Sequence, residues 1–401
     1  MAPSSHASQG LEPPLFPGRF TIRRIEPDLI HVQNHFFVGK GVLAAAHSLG
    51  IPIVGTNHFL PETLTVHVPM PRFGLRFMTK YLWDQFASVY GQIDAVTAPT
   101  SFAAQLSQHA RLVQPVLSIS NGVDLERFKP GNDGGYLRER YSIPDRPLLL
   151  FVGRLEKEKR LDVVLRAMPA ILGRCEAHLV VVEIGTRRRR LARLARELGI
   201  AEYVTFTGYV PDEDMPSLYH TAKGFLMAGN AEMQSIATME AMASGLPVLA
   251  AAAGALPELV HDGDNGYLFP DGDSGLLADK AACILRDEAL RQRMSEQSLQ
   301  IIRPHSLETV VTQFEALYQR IVSQKKADSE HSASNASYPS RLPTKRRVWL
   351  QTALALVIGI CLLAGGSLQP WRPGHFTASV KEALLDDTGV RGAVAKLEHL
   401  D

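Results

Sequence analysis

A chain of 401 residues, 45% hydrophobic and 21% charged, has the composition of an ordinary globular protein with room for two folded domains. Its formal net charge of +1 gives no long-range pull toward nucleic acid. Its three cysteines, Cys175, Cys283 and Cys361, lack the spacing of a zinc cage or a disulfide framework.

Residues 1–24 are rich in proline and small polar residues and read as disordered, without the basic and apolar regions of a signal peptide. From Pro27 onward short apolar runs alternate with helical patterns. Strands are predicted near 28–33, 51–56, 95–99 and 116–120, and helices near 38–49, 73–89 and 100–109. The segment Asn121-Gly-Val-Asp124, with Phe128 and Pro130 after it, closes this half, and a stretch containing Gly131-Asn-Asp-Gly-Gly135 links it to the next. A second alternating unit starts at Pro147, with strands predicted near 148–153, 178–183, 203–207, 224–228 and 247–251. Alternation of this kind builds parallel sheets with crossover helices. The expected architecture is α/β: two Rossmann-like, doubly wound domains, 25–130 and 131–323, facing a cleft.

Beyond residue 323 the chain changes character. Residues 324–347 read as a flexible basic linker. Val348 to Leu368 is a run of 21 residues without a charge, long enough for a transmembrane helix, with Trp349 and Trp371 at interface depth. Arg341, Lys345, Arg346 and Arg347 precede it, so the positive-inside rule keeps the large N-terminal part cytoplasmic and makes the chain a single-pass protein of the cell membrane. The tail 369–401 then faces outward, and the Asn335-Ala-Ser sequon stays unmodified.

The chemistry concentrates in Glu232-Met-Gln-Ser-Ile-Ala-Thr-Met-Glu240. An apolar strand, Phe225 to Met227, leads into a loop with Glu232. A helical segment follows, with an N-terminus near Ser235 and a stop at Gly245 and Pro247. A helix N-terminus attracts phosphate, and two carboxylates near it can hold hydroxyls. A sugar nucleotide has both groups. Taken singly, either glutamate would pass for a solvated helix carboxylate. Upstream, the strand ending at Gly153 opens into Arg154-Leu-Glu-Lys-Glu-Lys159, placing a guanidinium and an ammonium where ligands bind in such sheets. His58 follows the strand that ends in Gly55-Thr-Asn.

Together the Glu232-x7-Glu240 pair, the Gly-Arg-Leu run at Gly153, the Asn-Gly-Val-Asp-x3-Phe-x-Pro run at Asn121 and Gly55-Thr-x-His58 resemble the signatures of retaining GT-B glycosyltransferases of family 4. The resemblance covers residues 25 to 323. It implies transfer of a hexose with retention at the anomeric carbon, the departing phosphate helping to deprotonate the acceptor. It further implies Arg154 and Lys159 on the diphosphate of the donor, and backbone amides of Gln234, Ser235 and Ile236 on sugar and phosphate. Glu232 is implied on the sugar hydroxyls, Glu240 on the ribose, and His58 near the reacting carbon. No cofactor and no essential metal are expected. Glu232-x-Gln234 is similar to the version in bacterial diacylglycerol glucosyltransferases, which implies UDP-glucose as donor and a membrane lipid as acceptor.

The segment Pro71 to Trp83 fits that acceptor: Arg72, Arg76 and Lys80 run beside Phe73, Phe77 and Tyr81, a pattern suited to an anionic membrane interface, or to a core helix with a charged outer face. Arg187 to Arg190 open a helix with an apolar face at Leu191, Leu194 and Leu198, read as a solvated or membrane-facing basic surface.

Three departures from the family pattern bear on activity. No first strand and glycine-rich loop precede Pro27, so the first domain reads as incomplete. Glu183 replaces the first glycine of a Gly-x-Gly, which sets a carboxylate near the donor phosphates unless Arg187 or Arg188 pairs with it. Ala228-Gly229 replace Pro-Ser. A non-catalytic protein that binds a nucleotide sugar or a membrane partner is the alternative, and a sugar-nucleotide epimerase of the same fold ranks third.

Overall fold

A computed structural model of the chain describes residues 18–33, 37–61, 63, 68, 70–110, 112–132 and 135–334. The expected transmembrane helix 348–368, the tail 369–401 and the linker beyond residue 334 lie outside the described residues.

The first sheet holds four parallel strands in sequential order: β1 (Ile30–Val32), β2 (Ile53–Thr56), β3 (Ala95–Ala98) and β4 (Val116–Ser118). Among the described residues four helices accompany it: α1 (Gly18–Ile25), α2 (Phe37–Leu49), α3 (Arg72–Tyr90) and α4 (Ser101–Gln108). The first of these corrects the expectation of disorder to residue 24. Ile22 is buried, α1 packs on α2, and Arg23 and Arg24 lie in the last turn, where the helix dipole favours cations. Burial of β2 on both faces explains why its sequence is continuously apolar up to Gly55. Gly55 itself is dictated by packing, since a Cβ there would meet the Tyr90 ring and Ile93 at 2.6 Å. The Tyr90 ring stacks on Phe86 and its hydroxyl donates to Thr56 O at 2.8 Å.

The second sheet is parallel with the order β10-β9-β8-β5-β6-β7: β5 (Leu148–Val152), β6 (His178–Val182), β7 (Val204–Gly208), β8 (Gly224–Met227), β9 (Val248–Ala251) and β10 (Gly266–Phe269). The predicted strands 51–56, 95–99, 148–153, 178–183, 203–207, 224–228 and 247–251 correspond to observed ones within a residue or two. The run Gly266 to Phe269 is a strand that the apolar pattern does not announce. It is short, follows a turn-forming stretch, and needs glycine at its start, where a Cβ would fall 1.8 Å from Val248 O of β9.

After the short α5 (Tyr136–Arg140) come α6 (Leu161–Leu172), α7 (Arg188–Glu197), α8 (Met215–Thr221), α9 (Ile236–Ala243), α10 (Ser274–Arg286) and α11 (Glu288–Ile302). One continuous core joins Leu148 to Val152, Leu179 to Val182, the inner face of α6 and the helices on the other side of the sheet. In α7 the buried residues are Leu191 and Ala195, while Arg189, Arg190, Arg193 and Arg196 are exposed, which places the basic run of the sequence on the outside.

The last described helix, α12 (Leu307–Ser334), alters two expectations. Val310, Leu317 and Ile321, with Phe314 and Tyr318 beside them, pack on Val54, Ala95 and Ile119 of the first domain. The chain therefore returns to the first sheet instead of ending with the second domain at 323. Helix continues to Ser334, into the predicted linker, because Lys325-Lys-Ala-Asp-Ser-Glu330 holds no glycine or proline to stop it.

Candidate active site

In the second sheet β5 and β8 are neighbours, and the chain winds outward in opposite directions from that pair. Ligands of open α/β sheets bind beyond the carboxyl ends of strands at such a switch point. The loops leaving it are Gly153 to Arg160 after β5 and Ala228 to Ser235 after β8, the two stretches singled out by their sequence. The carboxyl ends of β2, β3 and β4 contribute His58, Pro99 and Asn121 from the other side. The cleft so formed has a volume of about 260 Å³ and brings together His58, Arg154, Lys159, Glu232 and Gln234 from across 176 positions of the chain, together with Asn121 and Glu158.

At its centre Lys159 Nζ lies 2.7 Å from Glu232 Oε1. The side chains are 19% and 8% exposed, enough removed from water that the pair is held firmly. Lys159 ends the 3₁₀ turn Lys157–Lys159, and Gly153 takes the chain out of β5 toward it. Gly229, a departure from the family pattern, has a role here: a Cβ at that position would stand 2.5 Å from Glu232 Oε1, so glycine gives the carboxylate room to meet Lys159. Arg154 projects into solvent at 67% exposure, with Nη2 3.5 Å from Glu158 Oε1. Arg160 takes a left-handed backbone at φ 50° and bonds Asp271 Oδ1 at 2.6 Å.

Ser235 is the N-cap of α9, its hydroxyl accepting Thr238 N at 3.3 Å. This leaves the amides of Ile236 and Ala237 without an intrahelical acceptor, pointing out of the helix end as an anion site requires. At the other end Gly245, φ 80°, closes the helix, its amide bonding Met242 O and that of Leu246 bonding Ala241 O. Gln234 does more than its backbone suggested: its side-chain oxygen accepts Asn121 N at 2.8 Å and its amide nitrogen donates to Ser120 Oγ at 2.9 Å. Glu240 does not line the cleft with the others. One turn into α9, its Oε2 accepts the hydroxyl of the fully buried Tyr219 at 2.7 Å. Burial first, and then the Glu240 charge and hydrogen bond, push that phenol well above its usual pKa, so it stays a donor.

His58 opens onto the cleft beside Gln33, its Nε2 2.8 Å from Gln33 Oε1. The protein packed around the ring pushes its pKa down to about 4 even though one edge meets solvent, so it is neutral at pH 7. Behind it His31 is also lowered to about 4, by burial and then by the His58 charge; its ring nitrogens lie 2.7 Å from Tyr318 Oη and 2.6 Å from Thr56 Oγ1. Glu183 does not line this cleft. It adopts φ 92° and accepts Ile184 N at 3.3 Å, while Arg187 lies 3.9 Å from Asp162 and Arg188 stacks 4.1 Å over Phe206. The sequence assigns no site role to Asn121, Glu158 or Tyr219; Asn121, first in its Asn-Gly-Val-Asp run, and Glu158, in the Gly-Arg-Leu stretch beside Lys159, carry a signal there, and Tyr219 carries none.

Comparison with known proteins bears on the family and the fold. The sequence pattern of the family described as Glycosyl transferases group 1 matches residues 137–300, and that of Glycosyltransferase Family 4 matches residues 7–127. The chain is 28% identical over 280 residues to the sulfoquinovosyl transferase SQD2 of Arabidopsis thaliana, 68% of this chain and 52% of that one. It is 32% identical over 220 residues, 53% of this chain and 52% of the other, to the GDP-mannose-dependent alpha-(1-6)-phosphatidylinositol monomannoside mannosyltransferase of Mycolicibacterium smegmatis. It thus spans about half the length of each of these relatives. Among solved structures, Anabaena HepE in complex with UDP and glucose superposes with a TM-score of 0.64 at 20% identity, over 75% of this chain and 80% of that one, a likeness of fold. The chain belongs to the group 1, family 4 glycosyltransferases and has their GT-B fold of two parallel α/β domains around a cleft.

Proposed function

We propose that this chain is a retaining glycosyltransferase that moves a hexose from a nucleotide-diphosphate sugar, UDP-glucose by preference, to a membrane lipid such as diacylglycerol. The observation that carries the reading is the convergence of Arg154, Lys159, Glu232, Gln234 and His58 on one cleft at the switch point of the second sheet. Arg154 and Lys159, with the amides that begin α9, form a cationic cradle for the diphosphate. An ammonium has three donors, so Lys159 can keep Glu232 and still reach a phosphate oxygen. Stabilising the charge that develops on the leaving diphosphate is the largest contribution to rate expected of these groups. Glu232, fixed by Lys159, supplies acceptor oxygens for sugar hydroxyls. Neutral His58 offers a hydrogen-bonding ring without a competing charge on the opposite wall. Glu240 lies outside the lining of this cleft, so the ribose role implied for it requires a nucleoside that extends beyond the cleft toward α9, where Tyr219 holds its carboxylate. The chemistry assigned here calls for no divalent ion.

Support for a lipid acceptor comes from α3. Phe73 and Phe77 are 77% and 67% exposed, with Arg72, Arg76 and Lys80 exposed beside them, which favours the membrane-interface reading for the first half of that helix, while its second half buries Leu82, Phe86, Val89 and Tyr90. The phosphatidylinositol monomannoside named for the mycobacterial relative is a lipid of this general kind. Together with a membrane anchor at 348–368, the helix would hold the cleft at the cytoplasmic leaflet. The alternative, a nucleotide-sugar-binding protein without transferase activity, keeps the cradle and loses only the turnover.

The test is mass spectrometry of lipids after membranes containing the full chain are incubated with UDP-glucose or GDP-mannose and diacylglycerol. A hexose-bearing lipid that disappears with Glu232→Gln is the expected result. Product formed equally by the variant would remove Glu232 from the mechanism; nucleotide binding without any product would favour the alternative.

A further inference from the structure

The loop that carries Glu232 is gripped from both sides of the cleft. On the side of its own domain, Ala255 N donates to Glu232 O at 2.9 Å and Asn230 N to Glu158 O at 3.2 Å. The approach of the 254–255 turn is close enough that Gly254, φ 58°, admits no side chain; a Cβ would lie 2.6 Å from Glu232 O. On the other side Met233, the residue between Glu232 and Gln234, leaves its domain altogether. It is 8% exposed and sits among Leu60, Ala98, Ala103 and Ala104 of the first domain.

Polar contacts surround that apolar knob, beside those of the adjacent Gln234 with Asn121 and Ser120. Thr100 Oγ1 donates to Met233 O at 2.8 Å while accepting Ala103 N at 3.1 Å as the N-cap of α4. The next amides of the same helix turn, Ser101 N and Phe102 N, donate to the carboxylate of Glu258 in the second domain, the former at 3.0 Å. The first domain's helix end is thus completed by the second domain's carboxylate, and the second domain's loop is completed by the first domain's hydroxyl. Separating the domains would expose Met233 to water and take away Glu258 from two helix amides, costs that oppose opening.

We propose that Met233, Thr100 and Glu258 form an interdomain latch that couples docking of the two domains to the placement of Glu232. The carbonyls of Glu232 and Met233 belong to the two peptide units on either side of the Met233 Cα, the first held by Ala255 of the second domain and the second by Thr100 of the first. Both peptides are held only when the domains are together. Arg154 and Lys159, by contrast, come wholly from the second domain, so diphosphate binding does not need the latch. The three are positioning residues: they act on the donor sugar through Glu232 and leave the phosphate cradle alone. The kinetic part of this inference rests on the glycosyltransferase reading above; the structural part rests on the contacts only.

The full chain in detergent, as wild type, as Thr100→Val, as Thr100→Ser, and as Met233→Ala combined with Glu258→Ala, distinguishes the two parts. Small-angle scattering and amide hydrogen exchange report docking, calorimetry with UDP reports the cradle, and initial rates report transfer. The double variant is expected to have a larger radius of gyration and exchange over 229–235 accelerated about tenfold or more. It should bind UDP within about twofold of wild type, which also shows that the second domain is folded, and lose about 10- to 100-fold in kcat with little change in donor KM. Thr100→Val should share part of the exchange and kcat effects, and Thr100→Ser, which keeps the hydroxyl, neither. Unchanged scattering and exchange in the double variant would overturn the latch, as would loss of UDP binding in step with transfer. A wild-type chain that binds UDP and transfers nothing would count against the functional reading alone, since scattering and exchange still decide whether the domains are latched.

Discussion

The two walls of the cleft are built on different principles. The second-domain wall is local and pre-assembled: Arg154 to Lys159 in one loop, Gly229 to Ser235 in the next, the loops issuing from neighbouring strands and tied by the Lys159–Glu232 pair. The first-domain wall is made by the stretch after β2, with His58, Leu60 and Thr63, and by single residues beyond β3 and β4, Pro99 and Asn121; in the same domain an outward-facing helix carries Phe73 and Phe77. Charge sits on one side and a neutral imidazole on the other. On the proposed function the fold divides its work: a phosphate can be gripped by contiguous motifs, whereas an acceptor needs a surface whose shape and wetness come from the whole domain.

Breaking the charged wall should have the largest effect. Lys159→Met is expected to weaken UDP binding about 100-fold, or roughly 2.7 kcal/mol, because it removes a phosphate partner and leaves the nearly buried Glu232 carboxylate facing the anion alone. Isothermal calorimetry measures this, and an affinity within a factor of two of wild type would move the phosphate elsewhere.

Next in size is a pH effect that touches both domains through histidines kept neutral. His178 in the second domain is 2% exposed, and burial, then the Arg146 and Arg138 charges, lower its pKa to about 4. Below the unfolded-state value the unfolded chain takes up the proton first, so stability is full above pH 6.5 and is lost as the pH falls toward 4. For His178 alone the loss between pH 7 and 5 is about 2 kcal/mol. His31 of the first domain should act in the same direction. Denaturant titrations at pH 7 and pH 5 would show it, with His178→Gln flattening the dependence; a midpoint that rises on acidification would contradict the assignment.

The smallest effect sharpens the acceptor side. In a chain ending at residue 340, Phe73→Ser with Phe77→Ser should reduce sedimentation with anionic phosphatidylglycerol vesicles by about tenfold, the loss of two ring insertions partly offset by the remaining Arg72, Arg76 and Lys80. Equal sedimentation of the two proteins would leave α3 as an ordinary solvated helix.

Much of this molecule was legible one segment at a time. Strand and helix alternation, the cap at Ser235, the stop at Gly245 and the identities of Arg154, Lys159 and Glu232 all follow from patterns a few residues long, because hydrophobic period, capping and turn chemistry act over that range. The sequence by itself therefore determined most of the strands and helices, though not α1 or β10, and which loops line the cleft. Tertiary structure alone decided what those loops meet: Lys159 on Glu232 across 73 positions, Tyr219 on Glu240, Met233 seated in the other domain, and α12 returning to the first sheet with Tyr318 beside His31. Each of these contacts joins residues far apart in the chain, and nothing in either residue's neighbourhood marks its partner; a buried methionine or a polar side chain on a helix looks the same in sequence whichever surface covers it.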